Sequence, residues 1–103
     1  MCEASNVIAQ FKVVPIGKGE SLSSYVAECL RIVQASGLKY QLTPMATVVE
    51  GDWDDVMRVI GECHSKVRSM SNRVVTNIDI DDRGGQSDAM EQKMRSVRER
   101  LAH

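Results

Sequence analysis

Apolar residues recur in two alternating rhythms along the chain, period two and then period three to four. From Asn6 to Ile16 the rhythm is two: Val7, Ala9, Phe11 and Val13 share one face, and Ile8, Gln10, Lys12 and Val14 share the other. This is a strand with one apolar and one mixed face, closed by Pro15 and Gly17-Lys18-Gly19. Ser21 then caps a helix whose stripe is Leu22, Tyr25, Val26, Cys29, Leu30 and Val33, with Gly37 at its C′ position. Lys39 to Thr43 reads as a short second strand, Pro44-Met45 as a turn, and Ala46 to Glu50 as a third strand. A second helix from about Trp53 to Met70 presents Val56, Val59, Ile60, Cys63, Val67 and Met70. Asn72 to Asp81 returns to period two. After the loop Arg83-Gly84-Gly85-Gln86-Ser87, Asp88 caps a third helix with a narrow Met90, Met94, Val97, Leu101 stripe.

The order βαββαβ plus a C-terminal helix predicts an α+β, ferredoxin-like sandwich over a single domain, residues 1–103. Four antiparallel strands carry two helices on one face, with the first and third strands central and the fourth beside the first. The helices are expected to cover Phe11, Val13, Val48, Ile78 and Ile80. The open face then carries Ile8, Gln10, Lys12, Thr47, Val49, Asn77 and Asp79. Such a mixed face suits a subunit interface or a small polar ligand held between sheets. A solvated sheet face is the plain alternative.

The densest cluster of signals is Thr47-Val48-Val49-Glu50-Gly51-Asp52-Trp53-Asp54-Asp55-Val56. It reads as a strand end, a glycine turn and a helix start, with Asp52 as N-cap and two carboxylates in the first turn. A hydroxyl and a carboxylate stand three residues apart at the strand exit. Spacing alone leaves open a plainer reading, in which Thr47 fills a strand position and Glu50 is solvated. Glu50 has no evident sequence partner, so its replacement by Gln is expected to behave as a surface change.

Composition narrows the function classes. The chain has 103 residues, 43% hydrophobic and 26% charged, and a net charge of −1. Nothing in that balance points to nucleic acid or an anionic membrane. No apolar run reaches a membrane span, and residues 1–10 lack a secretory pattern, which predicts a cytoplasmic protein. Cys2, Cys29 and Cys63 include no CxxC pair, and no His/Cys cluster has zinc spacing, so no metal site is expected. Cys29 and Cys63 fall on helix stripes and read as buried free thiols. Phe11 alone would serve as a stacking aromatic on the central strands. His64 lies mid-helix and His103 is terminal, and no catalytic constellation assembles, so no catalytic residue and no cofactor is predicted.

Pro15 before a short Gly loop, Ser21-Leu22-Ser23-Ser24-Tyr25-Val26, Pro44 to Gly51 and Asp52-Trp53-Asp54-Asp55-Val56-Met57 resemble a small thiamine-binding family that includes the YkoF-type domains. Arg83 and Lys93-Met94-Arg95-Ser96-Val97 fit its C-terminal pattern, so the resemblance spans almost the whole chain. It implies ferredoxin-like subunits that pair sheets into dimers and tetramers. It further implies non-catalytic binding of thiamine or its hydroxymethylpyrimidine part, at or near a subunit interface. On that resemblance Glu50 would accept from the amino group of the pyrimidine, Thr47 or Ser23 would serve a ring nitrogen, and Tyr25 or Tyr40 would offer a stacking face. Strict alternation sends Thr47 and Glu50 to opposite faces, so one ligand meets both only if the strand ends or bulges near Val49. Relatives often carry a basic residue where this chain has Asp79, which favours a cationic ligand. Asp79 is otherwise expected to pair with Lys12. Two other classes remain: a structural or regulatory oligomer binding another small metabolite or anion, and a small enzyme acting on a pyrimidine.

Overall fold

Seven elements account for nearly all of the residues that the computed structural model describes, namely 6–17, 22–82 and 89–102. They are β1 (Asn6–Pro15), α1 (Ser23–Ser36), β2 (Lys39–Leu42), β3 (Thr47–Asp52), α2 (Trp53–Met70), β4 (Val74–Asp82) and α3 (Ala89–Leu101). The sequence assignments at Cys2, Lys18, Gly19, Ser21, Arg83 to Asp88 and His103 lie outside the described residues. The sheet order is β2-β3-β1-β4 and every pairing is antiparallel. This is the expected ferredoxin-like arrangement, with β1 and β3 central.

Local chemistry sets the element ends. Gly37 closes α1 at φ +76°, a left-handed conformation that favours glycine, and its N–H donates to the Gln34 carbonyl. The Thr43 Oγ1 accepts from the amides of Met45 and Ala46 at 3.3 and 3.0 Å and donates to the Ala46 carbonyl at 2.9 Å, closing the β2–β3 turn. At the end of α2 the Ser71 hydroxyl donates to the Arg73 carbonyl, and Arg68 donates to the Ser71 carbonyl. β4 therefore starts at Val74 rather than Asn72.

The core lies between the sheet and the pair α1/α2. It holds Val7, Ala9, Phe11, Cys29, Val33, Val49, Val56, Val59, Ile60, Cys63 and Val67. Each valine removed from water contributes about 1.5 kcal/mol, so these side chains supply the main cohesion. The His64 Nδ1 and the Thr76 Oγ1 form a 2.6 Å hydrogen bond that ties α2 to β4.

The phase of β3 differs from the expectation. Thr47 stands opposite Phe11 and Val49 opposite Ala9, so both face the helices. Val48 and Glu50 face the other way, opposite Gln10 and Ile8. Val49 is wholly buried, whereas Val48 is half-buried. Nor does Gly51 make a turn: it continues β3, paired with Val7, in an extended conformation. Its lack of a side chain has another use. A Cβ built there would lie 2.7 Å from the Leu38 Cδ2.

Candidate ligand-binding site

On the helix side, a cavity of about 420 Å³ opens between the first turns of α1, the middle of β1 and the β2–β3 turn. Leu22, Val26 and Cys29 line one wall, Phe11 and Val13 the base, and Leu42 to Thr47 the other wall. The volume falls in the range of small-molecule sites, and the lining is apolar with few polar groups. Thr47 is one of those groups, a hydroxyl side chain only 9% exposed. Apolar side chains form the mouth: Val26, Leu42 and Met45 are 42%, 50% and 74% exposed.

The other sheet face carries successive rows of side chains across the strands. One row is Lys39, Glu50, Ile8 and Asp81; the next is Gln41, Val48, Gln10 and Asp79. α3 is tied to both outer ends of the first row. Glu91 pairs with Lys39 at 2.8 Å, and Lys93 pairs with Asp81. Two residues apart on a helix project to nearly opposite sides, so the start of α3 bridges the row. Beneath it Glu50 is only 5% exposed, accepting a 2.9 Å hydrogen bond from the Asn6 Nδ2. The expectation of a surface-like Glu50 is thus corrected: it is a buried carboxylate held by an amide. A groove of about 410 Å³ runs between α3 and the edge strand β2, lined by Tyr40, Met94 and Arg98 among others.

The six candidates fall into separate places. Thr47 lines the helix-side cavity, and Ser23 begins α1 beside its wall residue Leu22. Tyr25 packs against the core, the ordinary role for an aromatic on a helix stripe. Tyr40 sits on the edge strand, where its hydroxyl accepts from the Gln34 Nε2 at 3.0 Å. Glu50 and Asp79 face the opposite side of the sheet. Asp79 is exposed and accepts a 3.3 Å hydrogen bond from Gln10, directly across in register; Lys12 stands opposite Asn77 instead. The expected Lys12–Asp79 ion pair does not form. The pairing of Thr47–Asp52 with β1 and of Thr47–Glu50 with β2 runs without a bulge. Within one chain, no single small ligand spans Thr47 and Glu50.

Sequence reasoning missed Asn6, Thr43 and Gln10. A Thr immediately before Pro44 is a recognisable turn signal. The other two depend on register, which a single strand's pattern does not reveal. Among the described residues, no cluster of metal-ligating side chains forms, and no helix is long and apolar enough to cross a membrane.

Comparison with known proteins gives this geometry a family. The family described as thiamine-binding protein matches residues 9–98. The chain belongs to that family. Its relatives include the UPF0045 protein YqgV of Bacillus subtilis, 42% identical, with 91% of this chain and 96% of the relative covered. The UPF0045 protein MJ1052 of Methanocaldococcus jannaschii is 34% identical over 90% of this chain and 93% of its own. The crystal structure of MJ1052 superposes with a TM-score of 0.84, covering 89% of this chain and 95% of that one. A candidate thiamine biosynthesis/salvage protein from Thermotoga maritima superposes at 0.76 with 25% identity, covering 88% and 98%. The thiamine-binding family resemblance and the ferredoxin-like fold read from the residues are both borne out.

Proposed function

We propose that this chain is a non-catalytic cytosolic binder of thiamine or its hydroxymethylpyrimidine part, with the pyrimidine in the helix-side cavity. The observation that carries the reading is the cavity itself: an apolar space of ligand size with the Thr47 side chain in its wall. Family membership supplies the ligand class. The hydroxyl donates to or accepts from the aminopyrimidine edge, and the apolar walls cover the ring faces. The exposed apolar mouth, together with the outward Met94, Val97 and Leu101 of α3, gives a second copy surfaces to cover. We therefore take the working form to be a homotetramer, a dimer of dimers, with the site at or near a subunit interface. Light scattering that returns a monomer at micromolar concentration would overturn the assembly.

A second reading rests on Glu50. A carboxylate 5% exposed on the outer sheet face is a strong acceptor for an amino group or a thiazolium cation reaching in beside α3. The two readings separate by mutation. Thr47→Val removes one hydroxyl at constant shape and should weaken thiamine binding by about 1 kcal/mol, roughly five-fold in Kd. Under the second reading it leaves Kd unchanged, and Glu50→Gln weakens binding instead. Isothermal calorimetry with thiamine, hydroxymethylpyrimidine and thiamine phosphates measures both. If none of these ligands raises the thermal midpoint of the wild-type protein at saturating concentration, the thiamine reading fails and the regulatory oligomer binding another metabolite stands.

A further inference from the structure

Two thiols meet at the back of the helix-side cavity. Cys29 on α1 is 8% exposed and lines the cavity; Cys63 on α2 is wholly buried behind it. Both are free. Their contacts are reciprocal. The Cys63 thiol donates to the Cys29 carbonyl at 3.5 Å, and the Cys29 thiol lies 4.0 Å from the Cys63 carbonyl. Each sulfur therefore lies against the other's main chain, so the two thiols are neighbours across the packing of α1 on α2.

We propose that Cys29 is a peroxide-reactive thiol facing the ligand cavity and that Cys63 resolves it into an interhelical disulfide. The Cys29 sulfur attacks one peroxide oxygen, the O–O bond breaks, and the departing oxygen leaves as water with the thiol proton. Cys29 is then a sulfenic acid. The Cys63 sulfur attacks the Cys29 sulfur, the S–O bond breaks, and a second water leaves with the Cys63 proton. In sum, two thiols and one hydrogen peroxide give one disulfide and two waters; the sulfurs lose two electrons and the peroxide gains them.

The order of attack follows from the surroundings. The neighbouring Cys63 side chain lowers the Cys29 thiol from its ordinary value, against burial and the nearby Glu28. The Cys29 side chain, together with burial, pushes Cys63 well up. The first thiolate is thus Cys29, the one that reaches the cavity, and a thiolate is the nucleophile. Cys63 has no such access. It acts once the electrophilic sulfur is in contact with it.

The test uses the full chain with Cys2→Ser, so that only this pair can react. Dilute protein treated with hydrogen peroxide should lose two hydrogens in intact mass, join the Cys29 and Cys63 peptides on mapping, and revert with dithiothreitol. The disulfide would join residues 34 positions apart, so the oxidised protein should melt several degrees higher. With Cys63→Ala added, dimedone should trap a sulfenic acid on Cys29 and no crosslink should form. Three results overturn the proposal: thiols unmodified in the native protein at peroxide levels that oxidise glutathione, Cys29 running on to sulfinic acid with Cys63 still free, or crosslinking that appears only at denaturant concentrations that unfold the chain. The peptide map of the Cys2→Ser protein decides this even if the alanine variant folds poorly. None of these readouts depends on thiamine binding.

Discussion

Gly51→Ala isolates the packing at the end of β3, where Glu50 enters its buried position. The added Cβ would stand 2.7 Å from the Leu38 Cδ2 and 3.6 Å from the Val56 Cγ2. Carbon atoms rest at about 3.5–4.0 Å, so the Leu38 arm must retreat by nearly an ångström. Leu38 is partly buried against the core, and its retreat loses contacts there. Overpacking of this kind costs about 1–3 kcal/mol. Alanine also restricts the unfolded chain more than glycine, which returns about 0.4–1 kcal/mol. Gly51 has an extended backbone, so no left-handed strain enters. The net expectation is a loss of about 0.5–2 kcal/mol. Urea denaturation with an unchanged slope measures it. The mechanism is tested by Leu38→Val, which shortens the clashing arm at a cost of about 1 kcal/mol. In a double-mutant cycle the pair should be less destabilised than the sum of the singles by about 1 kcal/mol. Additivity within about 0.5 kcal/mol, or a Gly51→Ala protein more stable than wild type, would refute the close-approach argument.

Other residues give separate expectations. Glu50→Gln exchanges a charge-assisted acceptor for a neutral one in the bond from Asn6, so denaturation should show a loss of about 1 kcal/mol rather than the negligible change of a surface site. Asp79→Asn, at an exposed position bonded to Gln10, should change stability by less than about 0.5 kcal/mol; a larger loss on chemical denaturation would mean that a second subunit covers it. Thr76→Val removes the partner of His64 and should cost about 1 kcal/mol; thermal melts that leave the midpoint unmoved would deny that bond a structural role.

Most of the fold was legible because its helices announce themselves. Trp53–Met70 was read to the residue, since five of its stripe residues are core residues and two carboxylates mark its first turn. The Gly37 cap was equally plain, because a left-handed residue after an apolar stripe has few other causes. β3 was misread for a physical reason. Thr47-Val48-Val49-Glu50 offers one apolar and one polar residue to each face, so the alternation fits either phase. The deciding facts lie elsewhere: register against Phe11 and Ala9 in β1, and the space at Gly51 that Leu38 needs. Glu50 defeated the reading by the same route. A carboxylate beside a glycine normally signals a wet turn, but here α3 returns across the sheet and is tied down by Lys39–Glu91 and Lys93–Asp81. No strand pattern could announce that cover, because it comes from forty residues away in sequence.

The T-x-x-E spacing acquires a definite meaning from this arrangement. Three residues apart on a helix would place hydroxyl and carboxylate on one face; on a strand the same spacing sends them to opposite faces. Ordinarily one of the two would then be solvated, since an antiparallel sheet needs only one covered side. Here both are buried, Thr47 at 9% exposure under α1 and Glu50 at 5% beneath α3. The two residues belong to separate environments, divided by the backbone of β3, with no side-chain partner in common among the bonds described. Their energetic effects should therefore be independent. Thr47→Val and Glu50→Gln combined should destabilise the chain by the sum of the single effects, within about 0.5 kcal/mol. The same additivity should hold for thiamine affinity under either site assignment, since only one of the pair touches the ligand. A coupling above about 1 kcal/mol in affinity, measured by calorimetry on the four proteins of the cycle, would mean that one ligand senses both residues. Within a single unbulged strand that is geometrically excluded, so the ligand would then have to contact Thr47 of one subunit and Glu50 of another.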